Sequence, residues 1–374
     1  QSYSHYNRCK GYLKIFKDKL GKYTLRGLNQ IIIQDFCNWL CERTHKKETI
    51  TVMQSIRDLV TAKNLTTQSC AKLCELADTT IEVAYKVGNK LKRETAKKIC
   101  RGLKINFEDY FKAESEQVPY SRGSNNAIKI MLHTILRDAV RQGIISVNYA
   151  SSDFIRPIKK GSSGKKEILD DTETIKHFVD CINNETDIRK KVAFTLMIAL
   201  GVRNAELVGL EWKDFDFERE LVTISRNSIY ACGIGVVTKN TKTKNSNRTI
   251  SIPSGVVTLL KDYKKFWDSE KIKYANLWAN TDRLFVRWDG SNMAGATTFR
   301  WLKQFEQKNG LKEITPHGLR HTNITMQLTR GMDIKTVSAR AGHSDTNTTL
   351  NIYTHYTKEA DKNASNLINQ LLYC

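Results

Sequence analysis

Four of the eight histidines in this 374-residue chain fall in its last third, interleaved with arginine and tyrosine. The stretch reads His317-Gly318-Leu319-Arg320-His321-Thr322, then Gly342-His343-Ser344, then Leu350-Asn351-Ile352-Tyr353-Thr354-His355. Upstream, Gly201-Val202-Arg203-Asn204-Ala205-Glu206-Leu207 ends one helical pattern and opens another. These residue types suit a phosphate ester. A guanidinium stays charged at any working pH and can hold two phosphoryl oxygens through a bidentate fork. An imidazole exchanges protons near neutral pH. A phenol can attack phosphorus and leave an ester similar in energy to the one broken, so resealing needs no ATP. Each residue alone also has an ordinary reading. A helical Arg is usually solvated, Tyr353 could anchor a terminal helix, His343 could serve only as a structural hydrogen-bond donor to phosphate, and His321 reads as a core side chain.

Charge narrows the partner. Sixty Lys and Arg against 39 Asp and Glu give a net charge of +21, and a surplus spread along a folded chain favours a polyanion, nucleic acid first. A merely basic protein, or one resting on an anionic membrane, is the alternative; the chain carries no lipidation signal or basic amphipathic anchor. The longest apolar run, over 192–202, is too short to span a bilayer, and the start of the chain has no apolar signal core, so a cytoplasmic location is expected. Nine cysteines without a C-x-x-C pair, and with no His at zinc spacing, read as reduced thiols rather than metal ligands.

Elements must bring these residues together. Helical patterns run over 6–20 and 31–40, and again over 125–142, where Ile128, Met131, Leu132, Ile135, Leu136 and Val140 form one stripe. The stretch 158–166, with Lys159, Lys160 and four small residues, has little to bury and reads as a linker lying against DNA. Helices are expected over 172–183 and 188–200, β-rich sequence over 221–252, and mostly helix to residue 372. Past Tyr353, the residues Ala360, Ala364, Leu367, Ile368, Leu371 and Leu372 mark an apolar face that needs a partner surface.

Between the second and third helices, 56–111 has its own pattern. Its order resembles the helix-turn-helix of Cro- and repressor-type proteins: one helix opening at Gln68, a turn, and a second near 79–87 placed for the major groove. Glu82 on the reading face and the lack of an obvious small turn residue depart from that pattern. Lys86, Lys90, Lys92 and Arg93 are the candidate DNA contacts; the alternative is a helical insert that braces the fold or meets protein.

Taken together, the boxes around Arg203, His317 to His321, His343 and Tyr353 resemble the tyrosine recombinase (phage integrase) family, over 166–372 and more loosely over 6–40 and 125–150. The resemblance implies a multidomain, mainly α protein with a small antiparallel β-sheet: a discontinuous helical core-binding domain (1–48 and 118–157), the insert (49–117), a linker (158–166) and an α+β catalytic domain (167–374) with a terminal docking helix. It also implies roles. Arg203 and Arg320 clamp the phosphate, Tyr353 is the nucleophile, and His317 and His343 move protons or donate to phosphoryl oxygens. A Lys on a hairpin over 236–252 protonates the leaving 5′-oxygen; Lys242 sits best, with Lys244 and Lys239 as alternatives and DNA contacts. Glu206, one turn past Arg203, orients the cations. No cofactor is implied. The function implied is integration or excision of a mobile element by site-specific recombination, with assembly to dimers or tetramers on DNA and accessory directionality or DNA-bending proteins. A type IB topoisomerase-like strand transferase and a catalytically idle DNA-binding regulator are the other readings.

Overall fold

The structure, a computed structural model, describes residues 3–76, 78–156, 168–169, 171–231, 233–240, 247–353, 369 and 372. It divides into two compact units, Gln1–Gly164 and Lys165–Cys374. Among the described residues, no helix is long and apolar enough to cross a membrane. Lys159, Lys160, Lys242, Lys244 and most of the terminal apolar face lie outside the described residues.

The first unit holds two separate cores. One is a helical bundle. Helix α1 (Tyr3–Leu20) and helix α2 (Gln30–Glu42) both contribute to it, and Asn29 caps α2 by accepting from the Ile32 amide. Ile33, Phe36, Cys37 and Leu40 of α2 recur at helical spacing and are all buried. They meet Ile128, Leu132 and Leu136 of a long later helix.

The second core belongs to the insert. Strand β1 (Thr44–Val52) leads into α3 (Arg57–Ala62), α4 (Thr67–Leu73), α5 (Asp78–Ala84), β2 (Lys90–Leu91), α6 (Arg93–Leu103), α7 (Phe107–Tyr110) and strand β3 (Phe111–Pro119); α8 (Arg122–Arg141) then returns to the bundle. The nine-residue ladder of β1 with β3, from Thr44 opposite Pro119 to Val52 opposite Phe111, joins the two cores. Nothing in the sequence pattern announces these strands. Over most of its length the ladder is polar on both faces, with Lys47 paired to Glu116, and only Ile50, Val52 and Phe111 at its far end enter the insert core. At the bundle end, the Arg43 guanidinium lies 3.9 Å from the Tyr120 ring centroid and donates to Asn125 of α8. Cys70 and Cys74 pack in the insert core, and burial pushes the Cys74 thiol up to about 12.

The second unit is built on one large core of aromatic and aliphatic side chains. Helices α9 (Thr172–Asn183) and α10 (Ile188–Leu200) match the expected spans, and α10 is buried nearly all round. After the short α11 (Asn204–Leu207) come β4 (Phe215–Asp216), β5 (Leu221–Ile224), β6 (Arg226–Ala231), β7 (Gly235–Asn240) and β8 (Arg248–Ser251). The strands correct one expectation. Residues 236–252 do not form a single hairpin: β7 pairs with β6, whereas β8 pairs with β5 in the order β4-β5-β8. Burial explains the split. Ile250 opposite Val222 and Arg248 opposite Ile224 turn to the core together, while the β6-β7 ribbon leaves Tyr230 exposed. Helices α12 (Ser254–Lys273), α13 (Gly295–Asn309), α14 (Pro316–Thr329), α15 (Ile334–Ala341) and α16 (Thr346–Tyr353) complete the unit.

Candidate active site

Three helix ends meet in the second unit. Helix α10 stops at Gly201, whose φ of +60° places it in the left-handed region. A Cβ there would also collide with Asn323 Oδ1, and Asn323 Nδ2 in turn donates to the Ile198 carbonyl at the end of α10. Gly201→Ala is therefore expected to cost about 1–3 kcal/mol. Thermal unfolding checks it; an unchanged midpoint would remove Gly201 from the architecture of the site.

Arg203 stands at the N-cap of α11. Its backbone amide donates to Glu206 Oε2 at 2.9 Å, and its Nη1 donates to Glu206 Oε1 at 2.7 Å. Glu206 is buried, whereas the Arg203 side chain keeps 40% of its surface in solvent. Arg320 is different. It lies on α14 with His317 and His321, at spacings of three and one, and only 1% of it is exposed. Its Nη1 donates to the Gly201 carbonyl at 2.7 Å and its Nη2 to the Ala341 carbonyl at 2.5 Å.

The C-terminus of α15 organises the cations. Its last two carbonyls, of Arg340 and Ala341, and that of its cap Gly342 accept from Arg248 Nε at 2.7 Å, Arg320 Nη2 at 2.5 Å and Arg203 Nη2 at 2.9 Å respectively. Carbonyls at a helix C-terminus have no partner within the helix and carry the negative end of its dipole, so three guanidiniums satisfy them and are held by them. Arg248 also grips Glu206 through Nη2 at 2.9 Å and Nη1 at 3.2 Å. Gly342, with a φ of +67°, ends the helix, and His343 follows at once.

Electrostatics follow from this crowding. Burial, then the charges of Arg203 and Arg248, push the Arg320 guanidinium down to about 9, so it remains cationic at neutral pH. Burial, then Arg320, Arg203, Arg248 and His317, push His343 down to about 4, so its ring is neutral at physiological pH. Burial alone would raise the Glu206 carboxyl; the hydrogen bonds and charges of Arg248 and Arg203 outweigh it and hold Glu206 below the usual carboxylate range. The result is a net-positive pocket built before any anion arrives, with donors already oriented.

The histidines flank it. His343 Nδ1 meets the Thr349 hydroxyl of α16 at 2.8 Å, and Tyr353 closes that helix one turn later. Helix α16 packs through Ile352 onto Ile324 and Leu328 of α14 and Val337 and Ala341 of α15. Of Tyr353 itself the backbone is described. His317 is exposed, and its ring lies edge-on to that of buried His321, with centroids 4.2 Å apart. A cleft of about 610 Å³ opens beside the two, bordered by Phe299, Arg300 and Lys303.

Of the residues singled out in the sequence, Arg203, Glu206, His317, Arg320 and His343 thus share one electrostatic neighbourhood. Lys239, half-buried on β7, stands opposite Asn227. In the insert, Lys86, Lys90 and Lys92 are exposed, while Arg93 is ion-paired to Glu48 of β1. Arg248 was not among the candidates. A signal for it exists: along β8 it is in phase with Ile250 rather than with Thr249, and an arginine on the core side of a strand must have partners.

The model of the phage integrase family matches residues 169–360. A tyrosine recombinase XerC-like protein of Caldanaerobacter subterraneus is 29% identical over 272 residues, 67% of this chain and 68% of the relative. The integrase of Staphylococcus phage L54a is 26% identical over 261 residues, 64% of this chain and 73% of its own length. Among solved structures, the integrase of transposon Tn1549 in complex with circular intermediate DNA has a similar fold, with a TM-score of 0.54 at 23% identity, over 67% of this chain and 81% of that one.

Proposed function

Because the chain belongs to the phage integrase family, we propose that it is a site-specific DNA recombinase that integrates or excises a mobile element through a covalent 3′-phosphotyrosine. Tyr353 Oη attacks the scissile phosphorus, a bond to it forms, and the bond to the 5′-oxygen breaks. Arg203 and Arg320 hold the non-bridging oxygens, where negative charge builds. His317 and His343 donate to those oxygens or take the phenolic proton, and a lysine, Lys242 between β7 and β8 before Lys244 there or Lys239 on β7, protonates the departing 5′-oxygen. Attack by a 5′-hydroxyl reverses the step on the same or a different strand. What supports this reading most is the convergence of Arg203 and Arg320 on consecutive carbonyls directly before His343.

The partner is double-stranded DNA. The bundle (1–48 and 118–157) and the catalytic part (167–374) would each contact it, joined by the linker 158–166 with Lys159 and Lys160. The insert (49–117) would add contacts through Lys86, Lys90 and Lys92. What supports that is two consecutive short helices, α4 and α5, with Glu75 between them at a φ of +53°, the left-handed conformation a tight helix-to-helix turn uses. The terminal apolar face would dock on a neighbouring protomer in a dimer or tetramer on DNA, with directionality or DNA-bending proteins as accessories.

The test is a nicked duplex bearing candidate element ends, incubated with the protein without divalent metal. A denaturation-resistant protein–DNA adduct on those ends is expected. Adducts formed equally on any supercoiled DNA would point to a topoisomerase, and specific binding without adduct to an idle regulator.

A further inference from the structure

The clamp as described leaves one buried cation without a task. The Arg248 side chain is 6% exposed, and it uses three of its donor nitrogens at once, two on the Glu206 carboxylate and one on the Arg340 carbonyl. Its seat is shaped to it: a Cβ on Gly342 would lie 2.7 Å from Arg248 Nη1. A carboxylate as buried as Glu206 must be neutralised, and among the described residues two cations contact it, Arg203 and Arg248. Their demands differ. Arg203 is partly open to solvent and is one of the two guanidiniums assigned to the phosphate; Arg248 is enclosed.

We infer that Arg248 is a positioning residue for strand cleavage: it neutralises Glu206 and pins the end of α15, which leaves Arg203 with donors to spare for the scissile phosphate. A guanidinium has five N–H donors, and among the described residues the Arg203 side chain spends two, on the Glu206 carboxylate and the Gly342 carbonyl. Without Arg248, Arg203 is the cation left on Glu206 among the described residues, and the carboxylate competes with the phosphate for the same fork. The Arg340 carbonyl also loses its donor, two residues before Gly342 and three before His343. Arg248 touches no reacting atom in this scheme. Its effect passes through Arg203 and His343.

This inference rests on the proposed role of Arg203, so the wild-type adduct serves as the reference. If the wild-type protein forms no adduct, it is that role which fails; the inference about Arg248 concerns the variants relative to wild type. Single-turnover cleavage and DNA affinity would be measured for Arg248→Met, Arg248→Lys, Glu206→Gln and the double variant Arg248→Met/Glu206→Gln. Arg248→Met is expected to cleave roughly 10- to 100-fold more slowly, with DNA affinity within about twofold, since affinity is spread over many phosphate contacts. Arg248→Lys keeps a charge but cannot span carboxylate and carbonyl together, so its loss is intermediate; it carries the test should Arg248→Met fail to fold. The double variant lacks the unpaired carboxylate and should be no slower than Arg248→Met alone. Losses that simply multiply in the double variant would overturn the inference. So would Arg248→Lys at the wild-type rate, or a loss of affinity that accounts for the whole effect.

Discussion

Tyr353→Phe removes the covalent adduct altogether and leaves DNA binding within about twofold of wild type. The substitution deletes one oxygen at the end of α16, a helix that packs through Ile352 and buries Thr349. Stability should therefore change little. No water or neighbouring hydroxyl restores a linkage to protein, so the loss in single-turnover cleavage is on the order of 10⁵-fold or more, the scale on which removal of a covalent nucleophile registers. Gel-resolved adduct on a nicked duplex measures it, beside a binding isotherm on the intact site. Residual adduct above about 1% of wild type would mean that another residue attacks.

The second large effect separates the two clamp arginines. Lysine is a point charge with no fork, so Arg203→Lys and Arg320→Lys should each slow cleavage by about 10²–10³-fold, as the loss of a preorganised donor to a developing oxyanion does. Their stabilities should diverge. Arg203 keeps much of its side chain in water, and its replacement should move the unfolding midpoint little. Arg320 is enclosed and joins the Gly201 carbonyl at the end of α10 to the Ala341 carbonyl at the end of α15. A lysine there reaches one carbonyl and leaves the other buried without a donor, which costs about 1–3 kcal/mol. Thermal unfolding of the two variants decides the matter. Equal stability would mean that Arg320 does not tie those helix ends together.

The site was legible wherever chemistry demanded a residue type at a fixed spacing. His317 with Arg320 and His321 lie three and four residues apart on α14, a spacing that shares a helical face, and Glu206 three residues past Arg203 is the spacing of a helix N-cap contact. The helices of the bundle and of the large core were equally plain, since Ile33, Phe36, Cys37 and Leu40 repeat with helical period. Strand pairing was not. Choosing β5 over β7 as the neighbour of β8 depends on which faces are buried, a property of the assembled core. The β1-β3 ladder was hidden for the opposite reason, being charged on both faces and lacking the alternation that marks a half-buried strand. Arg248 combines both difficulties. In a chain with 60 Lys and Arg, one more arginine carries no information until its strand is known to face inward.

The convergence at the end of α15 also accounts for why so much positive charge can be tolerated in so small a volume. At this helix end one carboxylate and three carbonyls face three guanidiniums, and under the proposed function a bound phosphate would supply the missing negative charge. A carbonyl comb of this kind holds its cations without ionic competition, because carbonyl oxygens are weaker acceptors than a phosphodiester.

The most direct measurement is the identity of the residue joined to DNA. Wild-type protein trapped on a nicked duplex, digested with protease and nuclease and sequenced by mass spectrometry, should yield a single peptide bearing a nucleotide 3′-phosphate on Tyr353. The same modification on Tyr356, or on any residue other than Tyr353, would contradict the assignment of the nucleophile and with it the geometry of the clamp.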